Sequence, residues 1–237
     1  MANDGVVDQG ALPRTLEPEV MDSEQEALDY DAMDHGEVNA RFCQDLLAVQ
    51  PQPRRVLDVG TGTGLIPIDL CRRTAEASVL GIDLATHMLA RAESHVRRAG
   101  LEARIRVVRL DAKSTGLDTG SFDAVISNSI VHHIPDPEDV FREMWRLVRP
   151  GGVLFVRDLA RPESAFDTSR LADLYAPVSI GSDSHAMLMR QRALFVASLH
   201  AALTVGEVRA MVQGIGIPER AVVMTSDRHW TLAHMRP

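Results

Sequence analysis

The sequence predicts an α/β fold, a seven-stranded and mostly parallel sheet with flanking helices and a helical cap. Three observations predict it. Short apolar runs alternate with helical stripes from about residue 38 to residue 158. A glycine-rich turn joins the first such run to the first helix of the alternation. Each of the first four runs ends in an acid or an amide: Asp58, Asp83, Asp111 and Asn128.

The glycine turn is the centre of the pattern. Arg55 to Val59 reads as a short buried strand. Gly60, Thr61, Gly62, Thr63 and Gly64 follow, then an apolar helix from Leu65 to about Arg73. Glycines permit positive φ and close approach of a ligand, and a helix N-terminus presents free N–H groups. The arrangement is Rossmann-like. A nicotinamide dinucleotide fingerprint would read G-x-G-x-x-G. Here the third glycine comes one position early, and Asp58 would repel a pyrophosphate but suit a ligand with a cationic amine.

Composition bounds the rest. The 237 residues suit one domain with a modest cap. Hydrophobic residues make up 45% and charged residues 24%, ordinary for a globular chain. A net charge of −8 argues against a nucleic-acid surface and leaves a small-molecule substrate open. Cys43 and Cys71 fit no metal or redox spacing and sit in apolar helical patterns, as buried free thiols do. No run spans a membrane and no signal peptide is visible, so a cytoplasmic location is expected. No metal set is expected.

In chain order, residues 1–36 form an N-terminal segment or lid, loose to about Pro18 and then a short helix over Asp22–Tyr30. Tyr30, Asp31 and His35 admit two readings, a pocket lid or a solvated turn. Residues 37–237 form the main domain. Val38, Phe42, Leu46 and Leu47 give a helical stripe. The second strand ends at Asp83, the third at Asp111, the fourth at Asn128. Leu84 and Met88 open the helix after the second strand, with His95 on its polar face. Asp136 and Pro137 start a helix that Arg149-Pro150-Gly151-Gly152 ends. The fifth strand runs from Val153 to Val156 and ends in Arg157-Asp158. An insertion at about 161–203 breaks the alternation and is placed to cap a substrate. Residues 221–224 and 230–232 close the sheet as an antiparallel pair, so the expected order is 3-2-1-4-5 plus that pair.

Asp-x-Gly-x-Gly-x-Gly, the strand-end acids, the HH-x-P-x-P stretch from His132 and R-P-G-G before the fifth strand together resemble the class I methyltransferases that use S-adenosyl-L-methionine (SAM). The resemblance covers about residues 37–158. It implies SAM as cofactor and S-adenosyl-L-homocysteine as product, with in-line transfer of a methyl group to a small molecule. It implies that Gly60, Thr61, Gly62 and Gly64 approach the methionyl part, with Asp58 on the amine side. Asp83 would take the ribose, Leu84 and Met88 the adenine face, Asp111 and Ala112 its edge, and Asn128 and Ser129 the methionine end.

The acceptor is less legible. Asn128 lacks the Pro-Pro-Tyr/Phe that follows it in amide and nucleobase N-methyltransferases. His132 or His133 reads either as a general base or as a structural cap of the next helix, and adjacent residues are not expected to face one way. Tyr30, Asp31 and Arg157 complete the catalytic candidates. Two other readings remain at this stage, an NAD(P)-dependent oxidoreductase and a SAM-binding module without turnover.

Overall fold

The computed structural model describes residues 12–17, 22–33, 36–178 and 185–237. His35 and the loop at 181–184 lie outside them. The chain runs α1 (Glu24–Asp31), α2 (Gly36–Val49), β1 (Arg55–Val59), α3 (Leu65–Arg73), β2 (Ser78–Asp83), α4 (Thr86–Ala99), β3 (Ile105–Arg109) and β4 (Phe122–Asn128). It continues with a 3-10 turn (Val131–His133), α5 (Glu138–Leu147), β5 (Val148–Leu159), α6 (Ala165–Tyr175), α7 (His185–Ala201), α8 (Val205–Gly214), β6 (Val222–Met224) and β7 (His229–Met235).

The seven strands lie in the order β3-β2-β1-β4-β5-β7-β6. The first five are parallel to their neighbours, and β7 is antiparallel to both β5 and β6. This is the expected topology, with β1 central. Its cause is the right-handed crossover between parallel strands, which places α3 and α4 on the β1–β2–β3 side. Two apolar layers sandwich the sheet. One packs Phe141, Met144 and Leu147 of α5 and Val208 and Val212 of α8 against Leu57, Val125, Leu154 and Trp230. The other packs Phe42 and Leu46 of α2 and Leu70 of α3 against Val56, Ala124 and Phe155.

Several boundaries differ from expectation. The fifth strand starts at Val148 rather than Val153, because Val148 already pairs with Phe122, and Arg149 to Gly152 bulge out before Val153 pairs with Ala124. The cap of α5 is Pro137, and Asp136 only reaches the Glu138 N–H at 3.4 Å. The segment before Pro18 is fixed rather than loose over residues 12–17. Leu12 N–H donates to Pro162 O, Thr15 N–H to His200 O, and the Arg14 guanidinium to the carbonyls of His132, Ile134, Pro135 and Ala201. Such pinning has no hydrophobic period, so no sequence pattern announces it.

The insertion is tied at its base. Ala160 bridges Leu203, and Arg161 N–H donates to Leu203 O at 3.2 Å. Ser164 caps α6, and Thr204 with Glu207 makes a capping box for α8. Asp29 of α1 accepts from Arg190 and the Asp29 carbonyl accepts from Gln191, which holds α7 against α1.

Phe141 is fully buried and faces Trp230, with ring centroids 6.4 Å apart. Phe141→Ala should lower unfolding stability by about 3–5 kcal/mol, because the sheet cannot collapse into the void. Urea unfolding followed by far-UV circular dichroism measures it.

Candidate active site

The C-terminal ends of β1, β2, β3 and β4 open onto a cleft of about 850 Å³, part of it solvent. Gly60, Gly62, Asp83, Leu84, Met88, Asp111, Ala112, Asn128 and Ser129 all line it, as expected from the sequence. Met88 and Ala85 pack with Ala27 and Tyr30 on α1, which brings Tyr30 over the same cleft.

The three glycines do different work. Gly62 has φ +52, and a Cβ there would meet nothing within 4 Å, so its surface is bare for a ligand. Gly60 has φ +73, and its Cβ would stand 2.2 Å from Ile130 Cγ2, so the turn must be glycine to admit the loop after β4. Gly64 caps α3 and its Cβ would lie 3.1 Å from Ala92 Cβ on α4. Gly64 therefore serves helix packing and does not line the cleft, which corrects the expectation. Thr61 points down instead, its hydroxyl 2.6 Å from where a Gly81 Cβ would lie.

Asp83 orders the cradle. Its Oδ2 accepts from Gly62 N–H and its Oδ1 from Ala85 N–H, both at 2.9 Å. Burial nevertheless raises its pKa above the ordinary value, against those donors. Asp58 lies beneath the turn, fully buried. Burial pushes its pKa up to about 7, with the Thr61 hydroxyl opposing and the Asp83 charge adding. Its Oδ2 has no hydrogen-bond partner, nor has Oδ1 of Asn128. Buried acceptors without donors cost energy unless a ligand supplies the protons. A cationic amine and hydroxyls would supply them. Ser129 follows β4 with φ +58, a strained value outside glycine, and its N–H donates to Arg157 O.

A second cavity of about 2010 Å³, also partly open, adjoins the first and shares Tyr30, Asn128, Ser129 and His133 with it. Met33 and Val38 from α1–α2, Leu159 from β5, and Met187, Leu188, Leu194 and Phe195 from α7 add apolar wall. Tyr175 and His229 line it too. Nothing in the sequence of the insertion singles out this apolar wall of α7. Arg190 on the same helix binds Asp29.

The two histidines face the same way, contrary to expectation. In a tight 3-10 turn their rings lie 4.1 Å apart. His132 Nδ1 is 2.5 Å from Asp158 Oδ1, and Asp158 also accepts from Val131 N–H and His132 N–H. Burial opposes the His132 charge, but Asp158 and then Glu17 outweigh it and raise its pKa. Burial and the neighbouring His132 push His133 down to about 3. Glu17, which nothing in the sequence singled out, stands against both rings. Glu17 lies far from both histidines along the chain, so no sequence spacing announces the group.

Two catalytic candidates are displaced. Asp31 pairs with Arg91 and with His95 Nε2 at 3.1 Å, and lines neither cavity. His95 is thereby half-buried rather than solvated, and its Nδ1 contacts the Thr63 carbonyl at 2.9 Å. Arg157 points to the other face of the sheet. It binds Asp45 and Thr231 at 2.7 and 2.9 Å and lies over the rings of Phe42 and Phe155.

Residues 57–156 match the methyltransferase-domain family. A ubiquinone biosynthesis O-methyltransferase of Paracidovorax citrulli is 35% identical over 163 residues, 68% of this chain and 67% of that protein. The chain belongs to the class I SAM-dependent methyltransferases. Its cofactor is SAM, with S-adenosyl-L-homocysteine as product, so the nicotinamide reading falls. The Methylococcus capsulatus enzyme of the same name is 36% identical over 48% of this chain. This chain spans about half the length of that protein and of several other curated relatives that it matches. Among solved structures, a SAM-dependent methyltransferase from Aquifex aeolicus superposes with TM-score 0.65 at 17% identity, over 89% of this chain and 97% of that one. The [4+2]-cyclase SpnF does so with TM-score 0.57 at 19% identity, over 95% and 99%. These two likenesses concern the fold alone.

The methyltransferase yields two predictions about its cofactor cleft. Asp83→Ala should weaken S-adenosyl-L-homocysteine binding by about 1–3 kcal/mol, roughly 5- to 150-fold in Kd, by calorimetry on folded protein. Asp58 gives a pH signature. The native state holds its proton up to about 7, the unfolded chain only to 3.8. Stability without ligand should therefore fall as pH rises across that window. Asp58→Asn should remove this slope, stabilise the ligand-free protein at pH 8, and weaken cofactor binding. Melting temperatures from pH 5 to 8 check the first two outcomes; calorimetry checks the third.

Proposed function

We propose that this methyltransferase methylates a hydroxyl oxygen of a small, largely apolar molecule. The observation that carries the reading is the junction of the two cavities. The cofactor cleft and an apolar-walled cavity meet at polar residues alone: Tyr30, Asn128, Ser129 and His133. An acceptor whose apolar body lies along α7 would present its polar end there. The curated relatives named O-methyltransferases favour oxygen over nitrogen or sulfur.

Residue roles follow from positions in the cleft. Gly60, Gly62, Asp58 and Asn128 would hold the amino-acid end of the cofactor, Asp83 the ribose, and Leu84, Met88, Asp111 and Ala112 the adenine. The bound cofactor supplies an electrophilic methyl group open to in-line attack. The chain orients the acceptor, excludes water and polarises its hydroxyl at the histidine corner. The phenol of Tyr30, pushed up to about 12 by burial and by the Asp58 and Asp83 charges, stays protonated and acts as a donor.

Residues 161–203, with the segment before residue 37, serve as the substrate cap in this reading. Support comes from α7, which lines the second cavity and is tied to α1 through Asp29. A cytoplasmic setting belongs to the same proposal and is consistent with two buried free cysteines. Among the described residues no helix is long and apolar enough to cross a membrane.

The experiment is methyl transfer from labelled SAM to a panel of hydroxylated aromatics, amines and thiols, with products identified by mass spectrometry. Methylation of amines or thiols alone would overturn the oxygen assignment. Leu188→Trp should narrow the second cavity. We expect at least a 10-fold rise in KM for the acceptor, with S-adenosyl-L-homocysteine affinity unchanged.

A further inference from the structure

At the wall of the acceptor cavity, three groups from distant parts of the chain converge. Glu17 Oε1 lies 3.6 Å from His132 Nε2 and 3.2 Å from His133 Nδ1. One donor atom from each of the three residues stands within 4.8 Å of the others. Both Glu17 Oε1 and His133 Nδ1 are buried and make no hydrogen bond. The Glu17 side chain is 10% exposed and that of His132 is 3% exposed.

We propose that Glu17, His132 and His133 form a binding site for one first-row divalent metal ion of the zinc type. Donors about 2.0–2.2 Å from a tetrahedral ion stand about 3.4 Å from one another. The two measured separations bracket that value. Two imidazoles and one carboxylate suit zinc, iron or cobalt, and suit magnesium or calcium poorly, since those ions take oxygen ligands. Three protein donors leave a fourth position open, as in zinc sites that bind a substrate or water. Both histidines line the acceptor cavity, as does Ser198, which hydrogen-bonds Glu17.

The surroundings support the ligand set. Asp158 Oδ1 takes His132 Nδ1 at 2.5 Å, leaving Nε2 as the ring nitrogen that faces Glu17. A carboxylate behind a ligating imidazole fixes its tautomer and raises its basicity. Asp158 and Glu17 together offer two negative charges to a divalent ion. The nearby Arg14 is turned to the carbonyls of His132, Ile134, Pro135 and Ala201. By those bonds it anchors the segment that carries Glu17.

The inference concerns binding and stands apart from the acceptor assignment. An ion here would present its open position to a hydroxyl oxygen entering from the cavity, and that clause alone rests on the proposed O-methylation.

The test uses the full chain, stripped with a chelator and dialysed. Calorimetric titration with Zn²⁺ should show one ion per chain at micromolar Kd or tighter, and Mg²⁺ at millimolar concentration should not compete. Co²⁺ should give the visible absorption of a four- or five-coordinate ion. Glu17→Gln and His133→Ala should each weaken Zn²⁺ binding at least 10-fold, while His87→Ala, on exposed α4, should leave it unchanged. Glu17→Gln should bind S-adenosyl-L-homocysteine as the parent does, which shows the fold intact and separates this result from the methyltransferase reading. Absence of saturable Zn²⁺ binding would overturn the proposal. So would equal affinity in the parent and in Glu17→Gln.

Discussion

Asp158 is wholly buried at the end of β5, and its carboxylate takes hydrogen bonds from the Val131, His132 and Leu159 N–H groups and contacts the His132 ring. A buried carboxylate is tolerated only where such donors and a cationic partner surround it. Here the pKa falls below the ordinary range although burial opposes that, because His132 and the backbone donors prevail. The loop after β4 is thereby stitched to β5. That loop carries Ser129, Ile130 and both histidines, so this side chain holds the partition between the two cavities, together with the Ser129 N–H bond to Arg157 O and the Arg14 guanidinium. Ile130 in turn fills the space that Gly60 leaves, which joins the partition to the cofactor turn.

The sheet order and the cofactor cleft were legible in the sequence because both are local. Strand and helix periods repeat every few residues, and Asp83, Asp111 and Asn128 sit at strand ends that a parallel sheet must gather on one edge. The acceptor side was less legible. Asp31 and Arg157 looked like pocket residues by type and place, yet each is satisfied by a partner elsewhere: Arg91 and His95 for the first, Asp45 and Thr231 for the second. Nothing in the sequence pairs residues 31 and 91, or 45 and 157. Glu17 was invisible for the same reason, and Gly64 was assigned to the ligand because spacing cannot tell helix packing from ligand approach.

The relatives and the fold neighbours bear on different questions. The curated O-methyltransferases share over a third of aligned residues with this chain. The cyclase SpnF shares the fold over almost the whole chain at low identity. The frame that holds the cofactor thus carries little information about what is done beyond it. That information lies in the residues that line the second cavity, most of them from outside the five parallel strands.

The contact between Gly60 and Ile130 has a consequence for both sides of the site. The turn that receives the cofactor and the loop that borders the acceptor touch without a spare atom between them. Neither can shift freely past the other, because Ile130 occupies the space beside Gly60. A close-packed contact of this kind passes displacement on instead of absorbing it. The cofactor turn and the wall of the second cavity are therefore one mechanical unit, and a substitution that enlarges Gly60 reaches both at once.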